Sequence, residues 1–193
     1  DRRQRQMCIR DRKYTMTSQE ILSLVTLIAT SAIGIIGFAL TIYQIRLSNK
    51  VRNAEFFNKI IEKLRFNERS LSIMYLIEYD EFWYDASFHG SGELEKSVDA
   101  FLSQIDYICY LLFRNLLSEE DFQIFEYEVG RVCSNEQCQE YLWNLYHWAK
   151  CNKTKCSFDN LIKYLKTQFN DNELNKFESN QPQKSGYNRY LNF

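Results

Sequence analysis

Five soft metal ligands fall within 24 residues of this chain: Cys133, Cys138, His147, Cys151 and Cys156. Thiolate sulfur and imidazole nitrogen are the donors that hold zinc in a tetrahedron. Structural zinc favours closely spaced ligand pairs in tight turns, whereas each cysteine pair here encloses four residues and the pattern puts Cys138 on a helix. His147 and Cys151 lie one helical turn apart, so a partial site stays open geometrically. Ordinary thiols and a histidine on an aromatic helix face are the expected reading, and no metal or cofactor is expected. A second group, Glu78, Asp80, Glu81, Asp85 and His89, is interleaved with Phe82, Trp83, Tyr84 and Phe88. Carboxylates beside an imidazole can do acid and base chemistry. No nucleophile accompanies them, and aromatic loop residues more often plug a core or fasten two helices, so any site here is read as a binding surface. HGSG, residues 89–92, lacks the glycine spacing and the lysine of a phosphate loop and reads as a turn that opens a helix.

Two further patterns concern recognition. Tyr141, Leu145 and Trp148 share one predicted helix face and are expected in the core, which leaves Trp143 and His147 on another face where an aromatic anchor could grip a partner. The candidate interaction surface is therefore Trp83, Tyr84, His89, Trp143 and His147. Lys150, Lys153, Lys155, Lys163 and Lys166 form a basic cluster suited to anionic headgroups or an acidic partner, with a solvated face as the plainer account. No catalytic residue and no enzyme activity are expected.

The elements that must carry these residues begin with the 23-residue uncharged run from Ile21 to Tyr43. A helix of that length spans about 35 Å, slightly more than the ~30 Å of lipid tails, so the run predicts a tilted transmembrane helix over 21–43. It is longer than a signal-peptide core and is read as a retained anchor. Thr26, Thr30 and Gly34, at four-residue spacing with Gly37 close by, form a possible span-packing face. Residues 1–12, DRRQRQMCIRDR, resemble translated sequencing-adaptor read-through, so 1–15 is taken as a non-native leader and 16–20 as a short N-terminus starting at Met16. Arg46, Lys50, Arg52 and Lys59 then follow the span closely, and positive charge marks the cytoplasmic side.

From residue 44 onward, 18 Lys or Arg stand against 22 Asp or Glu, a net charge of −4, the wrong sign for a general nucleic-acid binder. An odd number of cysteines once the leader is set aside, with Cys109 in an apolar stripe, fits free thiols in a reducing compartment. One proline and few glycines leave long uninterrupted stretches, so the fold class is all-α: an N-terminal transmembrane helix followed by a small helical bundle. Periodicity extends the span as a stalk helix over 44–66, and a helical cytoplasmic domain occupies 67–169. Within it, Asn67 caps a helix over 68–79 that turns Leu71, Met74 and Ile77 or Tyr75 inward. Residues 93–116 form the core helix through Leu94, Val98, Phe101, Leu102, Ile105, Ile108, Cys109, Leu112 and Leu116. Ser118 and Ser134 open helices over 119–132 and 135–150, and Ser157 opens a last one to Phe169. The stretch 170–193 is rich in Asn, Gln and Ser and reads as a disordered tail.

Residues 53–169, especially EYDEFWYDASFHGSGELEKSVDAFLSQIDYICYL and NEQCQEYLWNLYHWAK, resemble an uncharacterised bacterial family of small proteins with one N-terminal span and a helical cytoplasmic domain. The resemblance implies an anchor plus helical domain and assigns no reaction. The expected function is a membrane-anchored protein-interaction or regulatory module at the inner membrane, with lipid and a protein partner or a second copy as its contacts and no nucleic acid. The alternative is a stress or phage-defence effector that acts on the membrane through oligomerised spans.

Overall fold

A computed structural model describes residues 17–187, apart from Ala86 and Ser91. The expected leader, the start at Met16 and the last six residues of the expected tail lie outside the described residues. Among those described, every regular element is an α-helix. Cα proximity divides the chain into two units that meet between Phe56 and Phe57.

Helix α1 runs 48 residues, Ser18–Arg65, and joins the predicted span and stalk in one element. Its first turn is held by a reciprocal cap: the Thr17 amide donates to Glu20 and the Glu20 amide to the Thr17 hydroxyl. Through the apolar run the hydroxyls of Thr26, Thr30, Ser31 and Thr41 donate back to the carbonyls of Leu22, Thr26, Leu27 and Gly37. Each polar side chain is thus satisfied inside its own helix, and the surface presented outward is hydrocarbon. None of the most apolar 18-residue window is buried within the chain.

The unit from Phe57 on is built around α3, Glu93–Phe113, whose Val98, Phe101, Leu102, Ile105, Ile108, Cys109 and Leu111 are buried. Helices α2 (Glu68–Glu78) and α7 (Asp159–Gln168) pack on it. The predicted helix over 119–132 is interrupted, giving α4 (Glu119–Phe122) and α5 (Glu126–Ser134). The break tightens the chain into i→i+3 bonds at Ile124 and Phe125 and releases the Ile124 carbonyl from a helical ladder, so that Arg65 can donate to it. Helix α6, Glu136–Cys151, packs on α5 and α7.

Local caps form where side-chain chemistry calls for them. Asn67 accepts from the amides of Arg69 and Ser70, and Ser118 from that of Asp121. The start of α6 is displaced by one residue: Asn135, not Ser134, is the cap, because its amide oxygen reaches Cys138 while Ser134 donates back to Gly130. Ser157 does not cap α7 either; Asp106, projecting from α3, accepts from the Leu161 amide and the Asn160 side chain. Leu116 leaves the expected core stripe, 65% exposed, because α3 stops at Phe113 and Asn115 reverses the chain at φ +53°, which delivers Leu117 to the core instead. On α2, Ile77 points inward and Tyr75 outward.

The expected disorder of residues 170–193 is corrected for 170–187. Asn170 and Glu173 form a complete capping box for α8, Asp171–Glu178, and α9 follows over Pro182–Ser185. Phe177 is the reason: one aromatic ring with no solvent exposure supplies the apolar burial that the composition of the segment lacks.

Arg65 also pairs with the buried Glu128, joining the end of α1 to α5. Arg65→Ala is expected to cost about 1–3 kcal/mol, because it strands a buried carboxylate. Arg65→Ala combined with Glu128→Gln should recover part of that loss in thermal melts; a double variant less stable than the single one would contradict the pairing.

Candidate functional site

The structure gathers the acidic and aromatic segment after α2 against α3 and α6. Gln137 on α6 does the gathering: its side-chain oxygen accepts from the amides of Trp83 and Tyr84, and its nitrogen donates to the Glu81 carbonyl. Trp83, Tyr84 and Phe88 are turned into the core, where Tyr141 meets all three rings at 5.3–6.1 Å. Around them runs a polar chain. Asn144 donates to the Tyr84 hydroxyl at 2.8 Å, the hydroxyl lies 3.0 Å from His89 Nε2, and His89 Nδ1 lies 3.5 Å from Glu95. With the Tyr84 proton directed to Nε2, the imidazole proton sits on Nδ1 and faces Glu95. The His89 ring also stacks on Tyr141, whose hydroxyl donates to Asp99.

Tyrosine, histidine and two carboxylates within hydrogen-bond reach are an acid–base couple in composition, but Tyr84 and Tyr141 are 1% and 2% exposed and neither can meet a substrate. What the arrangement does is fasten the segment between α2 and α3 to the neighbouring helices. Three acids of the segment are similarly occupied. Glu78 accepts from Tyr127 and pairs with Arg131, Asp80 accepts from Asn135, and Asp85 closes a local turn by accepting from Ser87. That local bond holds the Asp85 carboxyl below its usual range.

The expected interaction surface is therefore corrected for four of its five residues. Trp83 and Tyr84 belong to the core, and so do Trp143 and His147. The latter pair is covered by the folded tail: the Trp143 indole donates to the Ser179 carbonyl and His147 Nε2 to that of Phe177, both at 3.0 Å. Helix α6 is thus buried on two sides, and Trp148, expected in the core, is left 40% exposed. His89 is half-buried within the chain just described.

The zinc candidates are dispersed. Among the described residues no three His, Cys, Asp or Glu side chains converge in a way that would hold a metal ion. Cys133 and Cys138 are buried, Cys151 is exposed and Cys156 half-buried, all as free thiols. Burial pushes the Cys133 thiol up to about 12, which keeps it protonated and unreactive. The lysine cluster is partly spent internally: Lys166 lies 4.2 Å over the Tyr146 ring and pairs with Glu178, and Lys163 lies 4.1 Å over Phe113.

An open groove of about 800 Å³ and another of about 400 Å³ share Glu126 and Tyr164 in their linings. The larger is lined by Phe113, Leu117 and Phe122 with Ser118 and Glu119 at its polar edge. Tyr75, Tyr79 and Phe82 are exposed, and the first two stack at 6.1 Å; Tyr79 was not singled out in the sequence, although its four-residue spacing from Tyr75 was the available signal, and Phe82, named with the acidic segment, was left out of the candidate surface.

The Asp99–Tyr141 bond has a pH signature. Burial, opposed by the Tyr141 hydroxyl, holds the Asp99 carboxyl above its usual range. A carboxyl raised on folding favours the folded state fully below about pH 4, and the contribution is lost as pH rises through the folded value. Asp99→Asn should remove that slope. Melts of the detergent-solubilised chain are expected to show the variant gaining on the parent between pH 4 and pH 7; a constant difference would refute the assignment.

Comparison with family models, curated proteins and solved structures finds no match to this chain.

Proposed function

We propose that the protein is a single-pass membrane-anchored interaction or regulatory module of the bacterial kind its sequence resembles, with a small helical bundle held at the inner membrane on the cytoplasmic side. The observation that carries this reading is the surface of α1. Ile28, Ile33, Ile35, Ile36 and Phe38 are each 58–71% exposed, on a helix with its hydroxyls bonded internally. An exposed hydrocarbon rod of that length is costly in water and stable in lipid. Arg46, Lys50 and Arg52 at its C-terminal end support the cytoplasmic orientation. In the remainder, Trp83, Tyr84, Trp143 and His147 are packed in the core and Glu78, Asp80 and Asp85 are bonded within the chain, which supports recognition in preference to catalysis.

The test is extraction and protection of the full chain made in bacterial cells. It is expected to stay in the membrane pellet through alkaline carbonate, and its C-terminal unit to be digested in inverted vesicles and protected in sealed spheroplasts. Release by carbonate would overturn the anchor, and digestion from outside would overturn the orientation.

A second reading, an effector that acts through oligomerised spans, is favoured by one observation. Leu22, Thr26 and Thr30 line a shallow groove of about 460 Å³ on α1 into which another helix could settle, with Gly34 one turn further on. Gly34→Leu should abolish membrane toxicity on overexpression if that reading holds; undiminished toxicity would remove it.

A further inference from the structure

We propose that the part of α1 just past the apolar run pairs with the same part of a second copy of this chain, parallel and in register, as a short two-stranded coiled coil. This rests on the membrane reading, because a shared bilayer gives two copies one direction and one depth and raises their local concentration.

The seam is read from position and exposure. Gln44, Leu47, Val51 and Ala54 follow one another at alternating three- and four-residue steps, and Gly37 and Leu40 continue the alternation backward into the apolar run. Leu47 and Val51 are each 51% exposed and Ala54 is exposed, although all three lie beyond the stretch that lipid would cover. In heptad terms Gln44 and Val51 occupy a, and Leu47 and Ala54 occupy d. A β-branched residue at a beside leucine at d favours two strands, and a single polar residue at a fixes register. The outer positions are polar, with Arg46, Asn49, Arg52 and Asn53 facing away from the seam and Arg52 donating to Asn49 at 2.6 Å. The exception, Ile45, adjoins the apolar run.

Charge selects the occupant. Lys50 falls at g and Glu55 at e, five residues on, which is the separation at which g of one helix meets e of its parallel partner. Both side chains are exposed, and neither enters an ion pair among the described residues. Two copies in parallel would form this pair twice, once on each flank; an antiparallel arrangement would not align it.

The test uses the full chain in membranes, with Cys8 and Cys151 replaced by serine and one new cysteine at a time: Leu47→Cys, Val51→Cys or Ala54→Cys on the seam, Asn49→Cys or Asn53→Cys off it. Mild oxidation should give about fivefold more disulfide-linked dimer at the seam positions than at the outer ones. In the Val51→Cys chain, Lys50→Glu or Glu55→Lys alone should lower crosslinking about twofold, and the two together should restore it. Carbonate extraction of the same samples separates the two claims. Equal or absent crosslinking at all five positions in a chain that stays in the membrane overturns the coiled coil and leaves the anchor standing. A chain released by carbonate overturns the anchor, and the pairing falls with it.

Discussion

Phe177→Ala is expected to destabilise the folded unit by about 3–5 kcal/mol, the range for truncating a fully buried aromatic ring. Phe177 has no solvent exposure, and its ring meets Phe169 at 5.6 Å, Tyr146 at 5.8 Å and Tyr187 at 6.4 Å. The segment that carries it cannot hold itself in place. Helix α8 has eight residues, too few for a helix stable alone in water, and its capping box fixes only the first turn. Docking therefore depends on this ring and on the bonds that the carbonyls of Phe177 and Ser179 accept from His147 and Trp143. Removing the ring leaves a void and loosens the segment that covers both side chains, so the void cost and the loss of cover act together. The melting temperature of the detergent-solubilised chain should fall by about 10 °C, and its tryptophan emission should shift to the red as Trp143 meets water. Lys176→Ala, at an exposed neighbouring position, is the control and should be nearly neutral. A Phe177→Ala chain within about 1 kcal/mol of the parent, with unchanged emission, would mean that the tail does not cover α6 in solution.

The same segment shows where sequence reading runs out. The stripe from Val98 to Cys109 was legible because helical periodicity is a property of one stretch of chain, and the caps at Asn67 and Ser118 because a cap is bonded within three residues of its partner. The inward turn of Trp143 and His147 was not, since it is decided by carbonyls 30 and more residues away on a segment whose average composition is polar. Phe177 and Tyr187, ten residues apart in that segment, were the signal, and averaging over the stretch hid them. Asp106 is a similar case. A cap supplied from another helix, as Asp106 supplies α7, leaves no pattern in the sequence around the helix it caps. The aromatic segment after α2 was read correctly as a fastener of helices, yet its members were also offered as a surface, because pattern alone cannot show that Gln137 draws Trp83 and Tyr84 inward by their backbone amides.

The largest effect is expected in the apolar part of α1. Ile28→Lys combined with Ile35→Lys replaces two residues that favour insertion by two that each oppose it by about 2.5–3.5 kcal/mol near the middle of a bilayer. The combined change of about 6–8 kcal/mol exceeds what snorkelling recovers, since both sites lie seven or more residues inside the run and a lysine stem reaches about one turn. The parent chain should remain in the carbonate-washed membrane and the doubly substituted chain should leave it. Stability of the unit from Phe57 on supplies the second half of the argument. Ile28 and Ile35 are 60% and 71% exposed, so lysine at either removes no packing within the chain, and the melting transition of that unit should move by less than about 0.5 kcal/mol. A membrane anchor predicts lost insertion with an unchanged melt. If the run were instead a core helix covered by another chain in water, the parent would leave the membrane on carbonate washing, and the lysines would disperse a soluble assembly that gel filtration without detergent would already have revealed.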